Sequence, residues 1–143
     1  MSLGINIMAK LTKEIASLLT DFDIEIVEMH HNKKVDAPSG TALLLGEAAA
    51  EGRNINLDEN AVYERSGNTG ARQENTIGFS TIRGGDVVGE HTVLFAGDSE
   101  ILRISHSALS RQIFVKGAMH AAKWSLNKEP GFYSMDDVLN IKN

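Results

Sequence analysis

Glu28-Met29-His30-His31-Asn32-Lys33-Lys34-Val35-Asp36-Ala37-Pro38-Ser39-Gly40-Thr41-Ala42 joins a strand-like pattern on one side to a helix-like pattern on the other. Upstream, Ile24, Ile26, Glu28 and His30 alternate with Glu25, Val27, Met29 and His31. That period of two predicts a strand delivering the histidine pair at its carboxyl end. A regular strand would point the two rings to opposite faces, unless it breaks there. Downstream, the alanine- and leucine-rich run predicts a helix over about residues 40–52, with Ser39 or Asp36 as N-cap. Pro38 disfavours helical geometry at Ala37, so residues 32–40 read as loop.

The chemistry of this loop is concentrated. Adjacent histidines exchange protons near neutral pH, and Lys33 and Lys34 follow within four residues. A helix opening on small residues leaves unpaired N–H groups at its positive end, a place for an anion. Gly40 has no Cβ to keep a ligand from the backbone. Proton donors, positive charge and an anion cradle together suit a small acidic substrate undergoing proton or hydride chemistry. Each part has a plainer reading: polar residues at a strand end, a solvated lysine pair, an ordinary helix start. Their joint occurrence carries the weight. Metal binding is disfavoured, because adjacent histidines on a strand splay apart and no HExxH spacing accompanies them.

Before the loop, Met8, Leu11, Ile15, Leu18 and Leu19 predict an amphipathic helix over about 6–21. After it, residues 53–75 are a polar connection with a short strand at 61–64. Strands follow at 76–83, 87–95 and 101–106, separated by Gly84-Gly85-Asp86 and Gly97-Asp98-Ser99, which are hairpin signals. An antiparallel meander is the expectation. A helix over about 110–127 ends before Pro130-Gly131, and a short helix over 135–139 is capped by Ser134. The fold class is therefore α+β, a mostly antiparallel sheet packed with helices on one face. Ile77, Phe79, Val93 and Phe95 oppose Ile82, Val88 and Leu94, so the open sheet face is expected to serve oligomerisation. His91, mid-strand, reads as structural; His106 and His120 are weak signals. Arg111 is a second anion contact or a surface arginine at a helix start.

The 143 residues are 42% hydrophobic and 23% charged, which describes one globular domain. A net charge of −5 argues against nucleic-acid binding. The absence of cysteine excludes disulfides and thiolate metal sites and is compatible with a cytoplasmic location. No apolar run reaches the length of a membrane span, and no secretory leader is visible.

The quoted stretch closely resembles the E-x-H-H-x-x-K-x-D-A-P-S-G-T-A signature of the 4-hydroxy-tetrahydrodipicolinate (dihydrodipicolinate) reductase family. Thr76-Ile77-Gly78-Phe79-Ser80-Thr81-Ile82-Arg83-Gly84-Gly85-Asp86-Val87-Val88-Gly89-Glu90-His91-Thr92 and His106-Ser107-Ala108-Leu109-Ser110-Arg111 resemble the same family. The resemblance implies an oxidoreductase of the diaminopimelate route to lysine. It implies hydride transfer from NADPH or NADH to a cyclic dicarboxylate, and a homotetramer assembled through the sheet. By motif position, His30 is the general acid/base and Lys34 the proton donor. His31, Ser39, Gly40 and Thr41 bind substrate, with Arg111 a weaker candidate. The family also has a dinucleotide-binding domain, and no strand followed by G-x-G-x-x-G occurs here. Residues 1–143 thus read as a substrate-binding and tetramerisation domain whose cofactor-binding residues lie in an absent N-terminal domain, inactive on its own. The rival readings are a stand-alone dicarboxylate-binding module and a bare oligomerisation module.

Overall fold

Ile24, Ile26 and Glu28 alternate along the strand β1 (Asp23–His30) and are all buried. They lie on the face of a sheet that two helices cover, in a computed structural model that describes residues 1–141. The first helix, α1 (Leu3–Leu18), opens where the Ser2 hydroxyl accepts the Ile5 N–H, and it buries Ile5, Met8 and Ala16. The second, α2 (Gly40–Arg53), opens at Ser39, whose hydroxyl accepts the Ala42 N–H, and it buries Ala42, Leu45, Ala49 and Ala50. Both pack on Ile24, Ile26, Ile77, Phe79, Val93 and Phe95. Full burial of a side chain such as Leu45 or Phe95 stabilises the fold by about 1.5–3 kcal/mol.

The rest of the chain supplies a one-turn helix α3 (Leu57–Asn60), strands β2 (Ala61–Val62), β3 (Ile77–Arg83), β4 (Gly89–Ala96) and β5 (Ile101–Ala108), and helices α4 (Gln112–Ser125) and α5 (Met135–Leu139). The Ser134 cap of α5 is present as a capping box with Asp137. The polar stretch before β3 is pinned by Arg65 and Arg72, both bonded to Glu25 on β1.

The sheet corrects one expectation. Its strand order is β2-β3-β1-β4-β5, and it is mixed rather than mostly antiparallel. The β4–β5 hairpin forms as expected, with Ala96 opposite Ile101. The expected β3–β4 hairpin does not: β1 inserts between them, parallel to β3 and antiparallel to β4. The physical cause is α2. A strand–helix–strand unit brings its second strand back parallel to the first, so β1, α2 and β3 form a crossover. The Gly84-Gly85-Asp86 turn instead wraps the end of β1. Gly84 N–H donates to the His30 carbonyl at 3.0 Å, His31 N–H to Val87 at 2.8 Å and Asn32 N–H to Gly85 at 3.2 Å. Gly85 there has φ +55°, which a side chain would strain.

Candidate active site

The covered face of the sheet changes character along β1. In the row at Ile24 the residues across β3, β1, β4 and β5 are Ile77, Ile24, Phe95 and Leu102; in the row at Ile26 they are Phe79, Ile26, Val93 and Ile104. The row at Glu28 is instead Thr81, Glu28, His91 and His106. One step on, His30 pairs with Arg83. Polar side chains therefore gather at the carboxyl ends of the parallel strands β1 and β3, where α2 begins. Ligand sites form at such strand ends in crossover units.

Glu28 is 1% exposed and sits at the centre. Arg83 forks onto it, Nη1 to Oε2 and Nη2 to Oε1, both at 2.7 Å. The Ser39 N–H donates to Oε1 at 3.0 Å, and His30 Nδ1 lies 2.6 Å from Oε2. Burial alone would push this carboxyl up; the Arg83 fork, His30 and the Ser39 N–H outweigh it and hold its pKa below the usual value. Arg83 also donates to the Asp36 carbonyl at 2.8 Å, fastening the loop to the strand. His91 packs edge-on to His30, with ring centroids 5.1 Å apart, and its Nε2 lies 3.1 Å from the Ser39 hydroxyl. Burial, then the neighbouring His30, drive its pKa down to about 4.

Of the site residues expected from the sequence, His30 and Ser39 belong to this cluster. Ser39 is 2% exposed, and its hydroxyl is already engaged with Ala42 and His91. Gly40 and Thr41 follow it at the start of α2, and their N–H groups have no partner among the described residues. A Cβ on Gly40 would meet nothing within 4 Å. Lys34 bonds both Asp36 oxygens, at 2.8 and 2.9 Å, and the ammonium holds the Asp36 carboxyl below its ordinary range. Its charge also reaches His91, adding to that ring's depressed pKa. His31, just past the end of β1, makes no side-chain hydrogen bond among the described residues. Arg111 is exposed at the N-cap of α4 with no capping bond. His106 instead abuts Gly4 of α1, with a buried Nδ1 that lacks a partner, and His120 is exposed on α4. Among the described residues, no group of three or more His, Asp or Glu is arranged to hold a metal ion.

Glu28 and Arg83 form the centre of the cluster without having been proposed as site residues from the sequence, and His91, read there as structural, packs against His30. Glu28 was recoverable, since residues two apart on a strand share a face. Arg83 and His91 were not, because their proximity depends on strand order. A cavity of about 320 Å³ at the opposite end of β1 is lined by Asp21, Asp23 and Glu74, an environment hostile to anions. Its Arg53 is committed to the carbonyls of Leu19, Thr20 and Phe22.

Comparison with known proteins places this geometry. Residues 4–139 match the family described as dihydrodipicolinate reductase, C-terminus. A 4-hydroxy-tetrahydrodipicolinate reductase of Sinorhizobium fredii is 58% identical over 143 residues, covering 99% of this chain and 53% of the relative. That of Roseobacter denitrificans is 56% identical over 144 residues, covering 100% of this chain and 53% of the relative. A solved dipicolinate-bound dihydrodipicolinate reductase from Paenisporosarcina sp. TG-14 superposes with a TM-score of 0.65 at 25% identity, over 93% of this chain and 51% of that one. The chain thus spans about half the length of the relatives it matches. A family match running from α1 into α5 takes in the whole site, and the chain belongs to the dihydrodipicolinate reductase C-terminal family.

Proposed function

We propose that this chain is the substrate-binding and catalytic half of a cytoplasmic 4-hydroxy-tetrahydrodipicolinate reductase in the diaminopimelate route to lysine. The observation that carries the reading is the start of α2. Two N–H groups without a partner among the described residues open the helix, Gly40 borders open space, Lys34 stands in the same loop, and the half-buried His30 lies at the end of β1. No packing contact requires glycine at position 40, which leaves ligand approach as its use. A substrate carboxylate would take the N–H groups of Gly40 and Thr41 at the positive end of the helix. Ser39 acts from behind, fixing both the helix start and Glu28. Lys34 would exchange the exposed Asp36 carboxylate for the substrate's, and His31 and Arg111 are the further contacts to a second carboxylate. His30, and Lys34 beside it, then handle the proton that neutralises the reduced ring. The relative bound to dipicolinate supports a planar dicarboxylate ligand.

The nicotinamide cofactor, NADPH or NADH, supplies the hydride. The crossover in this chain does not fit its pyrophosphate: the β1–α2 connection carries residues 31–39 of the motif and no glycine-rich turn. The cofactor is therefore assigned to the part of the relatives that this chain does not span. The uncovered sheet face is assigned to a homotetramer.

Calorimetric titration of pyridine-2,6-dicarboxylate tests the reading. Lys34→Ala should weaken binding by about 1.5–3 kcal/mol, the scale of a charge-assisted hydrogen bond. Lys33→Ala should change it little, because Lys33 is exposed. Equal losses would mean a diffuse positive surface and would remove the specific carboxylate site.

A further inference from the structure

We propose that Glu28, clamped by Arg83, is a positioning residue that holds His30 with its proton on Nδ1 and leaves Nε2 as the nitrogen that exchanges a proton with the substrate. The inference rests on the reading of His30 as the proton-handling group. An ionised carboxylate only accepts hydrogen bonds, so the ring nitrogen facing it must donate. Nδ1 lies 2.6 Å from Glu28 Oε2, and the other carboxylate oxygen is taken by Ser39 and Arg83. The carboxylate has no freedom to turn away, because the Arg83 fork fixes its plane. With Nδ1 committed, only Nε2 is left to exchange a proton with a ligand, whether the ring is neutral or charged.

A second contact fixes where the ring sits. A Cβ on Gly89 would stand 2.9 Å from His30 Nε2. Gly89 does not adopt a positive φ, so its backbone does not demand glycine. The buried Gly89 leaves the space that the edge of the His30 ring occupies, so the ring can sit against β4 and reach Glu28. Burying a carboxylate is costly and is tolerated only with its hydrogen bonds in place. Here two come from Arg83, one from the Ser39 N–H and one from the His30 Nδ1. The Glu28–Arg83 pair could instead serve only to join β1 to β3, and the test must separate the two.

Long-range proton–nitrogen correlation on the 15N-histidine-labelled chain reads the tautomer of His30, assigned with His30→Gln. The expected result is Nδ1–H in the neutral ring, and a mixture in Glu28→Gln. Turnover is read in a chimera of this chain with the amino-terminal half of the Sinorhizobium fredii relative. There Glu28→Gln should lower kcat about 10-fold or more while KM and pyridine-2,6-dicarboxylate affinity change less than about threefold. Gly89→Ala should push the His30 ring away from Glu28, release the Nδ1–H tautomer and lose a similar factor in kcat. If Glu28→Gln unfolds because Arg83 is left unpaired, Glu28→Gln with Arg83→Met removes that charge and gives the same readouts. Folded Glu28 variants with wild-type kcat, or an Nε2–H tautomer in the wild type, overturn the proposal. Wild-type turnover in His30→Gln would overturn the underlying role of His30 instead.

Discussion

His91 is an interior histidine held neutral by its surroundings: 5% exposed, edge-on to His30, in a row with Glu28 and His106. Its pKa falls from 6.5 to about 4 on folding, so between those values the unfolded chain binds the extra proton. Stability is therefore full above pH 6.5 and is lost as pH falls towards 4, by about 3 kcal/mol. Glu28 acts in the same direction only below about 4.5, because its own pKa is lowered. Urea unfolding at pH 7 and pH 4.5 should show His91→Gln losing about 2 kcal/mol less than the wild type on acidification. An equal loss in both would show that His91 is not the group being protonated.

At the scale of elements, α1 and α2 approach closely through small residues. A Cβ on Gly52 would meet the Lys13 carbonyl and Ala16, both closer than contact allows. Gly52→Ala should then push α1 outward and cost about 1–3 kcal/mol in urea unfolding, although alanine is the better helix former. An unchanged midpoint would mean that α1 shifts freely. The Arg53 side chain, bonding the carbonyls of Leu19, Thr20 and Phe22, holds the end of α2 against the end of α1. Most elements were legible from pattern. The caps at Ser39 and Ser134 follow from side chains that can accept from N–H groups, and the stretch over 24–31 matches β1 to within a residue. The parallel pairing of β1 with β3 was not legible, because 23 residues of α3, β2 and polar loop from 54 to 76 hide the crossover.

For the whole molecule, the open question is the face of the sheet that no helix covers. Ile82 and Ile101, 45% and 48% exposed, lie on the side opposite the core residues Phe79 and Phe95, with Val27 and Leu94 between them. If this face joins subunits, sedimentation at micromolar concentration should show a dimer or tetramer, and Leu94→Lys should yield monomer that still folds. A wild-type monomer would remove the assignment. The chain by itself should show no reductase activity with NADPH, since its sequence carries no G-x-G-x-x-G turn to cradle a pyrophosphate. Measurable turnover by the 143-residue protein would place cofactor binding within these residues after all.

Local sequence determined the strand, the capped helix start and the candidates proposed for proton and anion handling, because period, capping and charge act over a few neighbouring positions. His30, Lys34, Gly40 and Thr41 are therefore visible in one stretch. The tertiary structure alone decided what surrounds them. Arg83 reaches Glu28 only because β3 returns parallel to β1, and His91 reaches Ser39 only because β4 flanks its other edge. Those contacts span 55 and 52 residues. Pairings at that separation are set by how the whole chain buries its apolar rows, which no local pattern contains.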